Sequence, residues 1–267
     1  MYPRFGGDIH KKQVKRIHMR KIIALICISF MSFIIPSGKI TIWMIGDSTM
    51  AIKETKAYPE TGWGMPFVYF FDSSVSIENR AKNGRSTRSF IEEKLWQPVN
   101  DNMKEGDYLF IQFGHNDEAK EKVERYASPE DFKRYLEFYV SCAKNKKVIP
   151  VLITPVSRRN FDSVGNIKQT HLIYSEVVRA VAKEQNTILI DLDEKSRALY
   201  QKFGDQNSKL LFMQLDSLEH PNYPAGRKDN THFNELGARK IAELVLEEIR
   251  KQIPDLANRV VVRSLPK

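Results

Sequence analysis

Five short apolar runs punctuate the chain: IWMI at 42–45, VSIEN at 75–79, DYLFIQF at 107–113, KVIPVLIT at 147–154 and TILIDL at 187–192. Stretches of helical period separate them, and those at 129–145 and 168–185 are long enough for crossover helices. Alternation of strand and helix predicts a doubly wound, three-layer α/β/α sandwich around a five-stranded parallel sheet. Near the end, Phe233, Leu236, Ile241, Leu244, Val245 and Ile249 recur at spacings of three to five, with Glu235, Arg239, Lys240, Glu243 and Glu247 between them. That spacing predicts a helix with one apolar and one solvated face. The stretch 203–231, with Gly204, Pro221, Pro224 and Gly226, reads as an irregular segment looping over the sheet edge.

With 267 residues, no internal repeat and no Gly/Ser-rich linker, the chain reads as one domain over 39–252. A basic N-terminal extension and signal peptide are assigned to 1–38, and a C-terminal tail to 253–267. The formal charge of +9 suggests a nucleic-acid binder until it is located. Seven Lys or Arg against the single acid Asp8 place six of those nine charges in residues 1–21, and the remainder forms no basic stripe interleaved with aromatics. Nucleic acid is therefore not expected as a partner.

Behind the basic start, IIALICISFMSFII at 22–35 is shorter than the roughly 20 residues of a membrane span and fits the apolar core of an export signal. Met19-Arg20-Lys21 would itself make a conventional start for such a signal. Export to the periplasm or the exterior is the expectation, with membrane attachment only through this segment if it stays uncleaved. Of the two cysteines, Cys27 lies in the segment expected to be removed, so Cys142 has no internal disulfide partner. A monomer stabilised by its core is expected.

In an open parallel sheet, ligands sit beyond the carboxyl ends of the strands. Short motifs fall there: IGDST at 45–49, NGRST at 83–87 and GHND at 114–117, with DNTH at 229–232 just before the last helix. Gly46 permits a sharp turn from strand into helix, which would present the Ser48 hydroxyl above the sheet. A serine hydroxyl needs an adjacent base to act as a nucleophile, and His232 can supply one. Asp229, three residues earlier, can hold the imidazole Nδ1 and stabilise the imidazolium. The backbone N–H groups of Ser48 and Gly84 and the amide of Asn116 are candidate donors to an oxyanion.

These blocks, in this order, resemble those of the SGNH (GDSL-like) hydrolases across about residues 40–250. The departure to Thr49 after the serine, together with GWG at 62–64, GHND and DNTHFNELGARKIA, is similar to the rhamnogalacturonan acetylesterase branch. The resemblance implies a flavodoxin-like sandwich, catalytic roles for Ser48, Asp229 and His232, an oxyanion hole of Ser48, Gly84 and Asn116, and no metal or organic cofactor. It also implies an acetylated, galacturonate-containing polysaccharide or oligosaccharide as substrate.

Other readings compete. Asp229 and His232 could ligate a metal, but no HExxH, paired Cys or further His cluster completes a shell. Asp47 and Asp117 read as carboxylates bracing turns, His115 as a packing and hydrogen-bonding residue, and His171 and His220 as surface or loop histidines. A lipase or thioesterase of the same fold, and a silent glycan-binding homologue, remain alternatives. An anionic sugar chain can be gripped by guanidinium groups. Arg85 and Arg88 after the second strand, and Arg158 and Arg159 after the fourth, are therefore candidate substrate contacts, with Trp63 a candidate for stacking on a sugar ring.

Overall fold

The computed structural model describes residues 38–261. The basic extension, the apolar run, the Met19 start and Cys27 lie outside them. The five expected strands form at β1 (Ile40–Gly46), β2 (Val75–Asn79), β3 (Tyr108–Gln112), β4 (Ile149–Ile153) and β5 (Ile188–Ile190). They pair in the order β2-β1-β3-β4-β5, and every pairing is parallel. The helices are α1 (Gly64–Phe67), α2 (Thr87–Glu92), α3 (Trp96–Asn102), α4 (Pro129–Asn145), α5 (Leu172–Glu184), α6 (Leu192–Ser208), α7 (Glu235–Gln252) and α8 (Pro254–Ala257).

Strand side chains alternate faces, so an apolar run with no polar interruption supplies two cores. Ile42, Met44, Tyr108, Phe110, Val151 and Ile153 pack on one face with α1, α6, α7 and α8. Trp43, Ile45, Leu109, Ile111 and Leu152 pack on the other with α2 to α5. The result is the expected three-layer sandwich. Side-chain caps fix several helix starts: Ser128 accepts from Asp131 N at 3.1 Å, Asn234 from Gly237 N at 3.0 Å, and Ser86 and Ser89 cap one another's backbone.

Two regions differ from the sequence reading. The segment 203–231 is not a bare loop: it contains the end of α6 and β6 (Phe212–Leu215), which pairs antiparallel with β7 (Arg227–Phe233) in a second, two-stranded sheet. This pair is too short and too interrupted by Pro and Gly to announce itself. Residues 253–261 are not a loose tail either, because Ile253 and Leu256 are buried in the core and Val260 bridges to Phe71.

Candidate active site

Ser48 follows β1 on a tight turn, closed by Met50 N and Ala51 N donating to Asp47 O at 3.3 and 3.1 Å. No helix begins there, contrary to the expected strand-to-helix turn. The turn is held by side chains instead. Asp47 Oδ1 accepts from the N–H and the hydroxyl of Thr49 at 2.9 and 2.8 Å; Thr49 Oγ1 accepts from Gln112 Nε2 at 2.7 Å; and Gln112 Oε1 accepts from Trp63 Nε1 at 2.6 Å. Trp63 is wholly buried, which corrects its assignment as a sugar contact: it braces the serine turn and has no face to offer a ligand. Burial raises the Asp47 carboxyl above its ordinary range despite the Thr49 bonds, as suits a structural carboxylate.

β7 carries the other two residues. Ser48 Oγ lies 2.9 Å from His232 Nε2, and His232 Nδ1 lies 2.8 Å from Asp229 Oδ2. A carboxylate only accepts, so it fixes the proton on Nδ1 and leaves the Nε2 lone pair facing the serine hydroxyl. Asp229 Oδ1 accepts the N–H groups of Thr231 and His232 at 2.7 and 3.0 Å, which locks the carboxylate. Burial pushes the Asp229 carboxyl upward, but the His232 ring and these two N–H groups outweigh it and hold the group well below the carboxylate range. An imidazolium formed beside it meets a full negative charge.

The three candidate oxyanion donors keep hydrogens to offer. Among the described residues, the N–H groups of Ser48 and Gly84 donate to no protein acceptor. Gly84 sits at φ +75°, a conformation side chains disfavour, and an added Cβ would come within 3.1 Å of Arg125 Nη1. Asn116 donates one Nδ2 hydrogen to Arg85 O at 2.9 Å, leaving its second, and its Oδ1 accepts from Arg125 Nη1 at 3.3 Å. Asp117 accepts the N–H of Thr87 at 2.9 Å, and also the Thr87 hydroxyl, so the turn after β3 is tied to the start of α2.

The pocket at Ser48 has a volume of about 680 Å³, and its wall includes His115, Asn116, Glu118, Arg158 and His171. Of the four arginines singled out from the sequence, Arg158 lines it, with Nη2 on Glu118 Oε1 at 3.1 Å and no partner for Nε. Arg159 points the other way: it is 7% exposed and bound to Ser208, Asn230 and Asp205, so its assignment as a substrate contact is corrected to a buried brace. Arg85 is committed to Glu93 and Asn83 O, and Arg88 to Glu92 and Val123 O. Neither lines the pocket.

His171 is corrected as well. It is 1% exposed, its Nδ1 is 3.0 Å from Glu118 Oε2, and its ring lies 4.2 Å from that of His115. His115 packs as expected but not as a hydrogen-bonding residue, since both its ring nitrogens are buried without a partner among the described residues; it is kept neutral first by burial and then by His171 and Arg158. His220 is a loop residue set between the Tyr58 and Tyr223 rings.

Arg125, Glu118 and Arg227 went unnoticed in the sequence. Only Arg227 left a signal: it stands two residues before Asp229 on the same strand face.

A serine held against a carboxylate-backed imidazole, at the carboxyl ends of a doubly wound parallel sheet, defines a serine ester hydrolase of the α/β/α class. The chain belongs to the GDSL-like lipase/acylhydrolase family, whose family model matches residues 44–240. It is 40% identical over 225 residues to the rhamnogalacturonan acetylesterase RhgT of Bacillus subtilis, covering 84% of this chain and 96% of that one. It is 35% identical to the probable rhamnogalacturonan acetylesterase YesY of the same organism, covering 79% and 92%. Among solved structures, YxiM of Bacillus subtilis superposes with a TM-score of 0.71 at 27% identity, over 82% of this chain and 58% of that one. A catalytic mutant of the acetylxylan esterase Axe2 of Geobacillus stearothermophilus superposes with 0.55 at 17% identity, over 79% and 94%, and shares the fold.

Proposed function

We propose that this protein hydrolyses acetyl esters on rhamnogalacturonan through an acetyl-enzyme at Ser48. The observation that carries the reading is the unbroken hydrogen-bonded line from Ser48 through His232 to Asp229, open to a pocket on the serine side. His232 Nε2 takes the hydroxyl proton as Ser48 Oγ attacks the ester carbonyl. The tetrahedral oxyanion then lies against the N–H groups of Ser48 and Gly84 and the free amide hydrogen of Asn116. His232 returns its proton to the departing sugar oxygen, and water, activated by the same nitrogen, releases acetate.

The polysaccharide reading draws on the two Bacillus relatives named for this activity and on the charged lining of the pocket. Glu118, Lys120, Glu121, Lys122 and Arg158 make a poor wall for a long acyl chain, which disfavours a lipase. Arg158, which lines the pocket, is the candidate partner for a galacturonate carboxylate. Acetate release from a panel of acetylated pectins and xylans, with Ser48→Ala as control, tests the proposal; preference for xylan, or turnover by the Ser48→Ala variant, overturns it. Export to the periplasm or the exterior is part of the same reading, and peptide mapping of the mature N-terminus tests it.

A further inference from the structure

We propose that Arg227 and Glu60 are positioning residues for the esterase reaction, links in a chain of alternating charges that runs from Asp229 to the loop bearing Gly84. Arg227 Nη2 donates to Asp229 Oδ2 at 2.7 Å, the same oxygen that faces His232 Nδ1. Arg227 Nη1 lies 2.9 Å from Glu60 Oε2, and Glu60 Oε1 lies 2.8 Å from Lys53 Nζ. Lys53 Nζ then donates to Asn83 Oδ1 at 2.8 Å, and Asn83 immediately precedes Gly84. The line therefore reads Asn83, Lys53⁺, Glu60⁻, Arg227⁺, Asp229⁻, His232, Ser48.

The chain is enclosed and anchored. The side chains of Lys53 and Glu60 are 2% and 8% exposed. Thr61 N donates to Phe233 O at 2.9 Å, which pins the segment carrying Glu60 to the end of β7, and the Arg227 guanidinium lies over the Tyr223 ring. A buried charge without a partner is costly, so Lys53 and Glu60 persist as a buried pair because each neutralises the other, and the partly exposed Arg227 completes the balance on Glu60.

The consequence for the reaction is electrostatic. Asp229 Oδ2 is shared between a permanent cation and the imidazole, and Glu60 decides how much of that cation is left unbalanced beside His232. The other charged or titratable groups facing the His232 ring are Asp47, on the turn after β1, and His115, on the turn after β3, with Lys53 one link further back. Neutralising Glu60 leaves Arg227 uncompensated and disfavours the imidazolium, so the acid limb of the rate profile moves to lower pH. Neutralising Arg227 does the reverse.

The proposal rests on Ser48, Asp229 and His232 being the reacting residues, and its test keeps the two apart. The pH dependence of kcat/KM for 4-nitrophenyl acetate is measured for the full chain and for Glu60→Gln, Arg227→Gln and the double variant. Expected are acid limbs displaced by about half to one pH unit, downward for Glu60→Gln and upward for Arg227→Gln, with the double variant returning toward the parent. A merely structural role would lower rates or melting temperatures without moving the limbs in opposite directions. Limbs that stay put, or move the same way, in variants that remain folded by circular dichroism overturn the charge chain while leaving a Ser48-dependent esterase intact. Should one single variant fail to fold, the other decides: a limb displaced in its stated direction supports the chain, and one that stays put or moves the opposite way refutes it. Activity that survives Ser48→Ala instead overturns the functional reading itself.

Discussion

Arg125 reaches across the site to Asn116, its Nη1 3.3 Å from Oδ1, and the same nitrogen would be the nearest neighbour of a Cβ at Gly84. One guanidinium therefore sets the orientation of the Asn116 amide and closes the space above Gly84. Asn116→Ala should lower kcat by on the order of a hundredfold to a thousandfold, the range for losing one oxyanion donor. Arg125→Ala should cost about tenfold in the parent and almost nothing in the Asn116→Ala background, because its effect passes through that amide. Steady-state kinetics on the four proteins measure the coupling; additive losses would show that Arg125 acts elsewhere.

Asp229→Asn separates the two jobs of that carboxylate. An asparagine keeps an oxygen for the N–H groups of Thr231 and His232, so the backbone turn survives. Its amide, however, would present hydrogens to His232 Nδ1 and to Arg227, where the carboxylate accepted from both. The ring would hold the wrong tautomer, and kcat should fall by on the order of a thousandfold to ten-thousandfold, while the melting temperature drops with the loss of the Arg227 ion pair. A loss below tenfold would show that Asp229 does not orient the base.

The sheet and its two cores were legible because mainly apolar runs have one economical solution, strands covered on both faces, and three of the four site motifs fell at the ends of such strands, while DNTH lies within β7 of the second sheet. Ser48, Asp229 and His232 were legible by residue type and spacing. What stayed hidden was whatever depended on the direction of a side chain. Arg158 and Arg159 are neighbours in sequence, yet one lines the pocket and the other is buried against α6. His171 has no acidic neighbour along the chain and meets Glu118 only across the fold. Glu60 and Lys53 sit in an unremarkable stretch, and nothing local announces that they pair with one another or that Glu60 meets Arg227 from a distant strand.

Those two arginines give a paired test. Arg158→Gln should raise KM for an acidic acetylated oligosaccharide about tenfold, through loss of a charge-assisted contact, and leave kcat/KM for 4-nitrophenyl acetate within a factor of two or so of the parent. Arg159→Gln should leave both substrates unaffected per folded molecule but destabilise the protein by about 1–3 kcal/mol, since Asp205, Asn230 and Ser208 lose a buried partner. Equal KM effects from the two variants would contradict the orientations described.

Asp117 links the site to pH-dependent stability. Its carboxyl is wholly buried, and burial, opposed only in part by the hydrogen bonds from Thr87, pushes it from 3.8 up to about 7. Between those values the folded chain holds a proton that the unfolded chain has released, so stability falls as pH rises through that window, by at most about 4 kcal/mol. Asp117→Asn keeps an oxygen for the Thr87 N–H and hydroxyl while removing the charge. The melting temperature of the variant minus that of the parent should therefore climb from about pH 4.5 to about pH 7.5. Taking the difference removes the contribution of Asp229, whose depressed carboxyl stabilises the fold above its unfolded value and so runs the opposite way. A difference that stays flat would mean that Asp117 is ionised in the folded protein at neutral pH and that the turn after β3 carries a compensated charge.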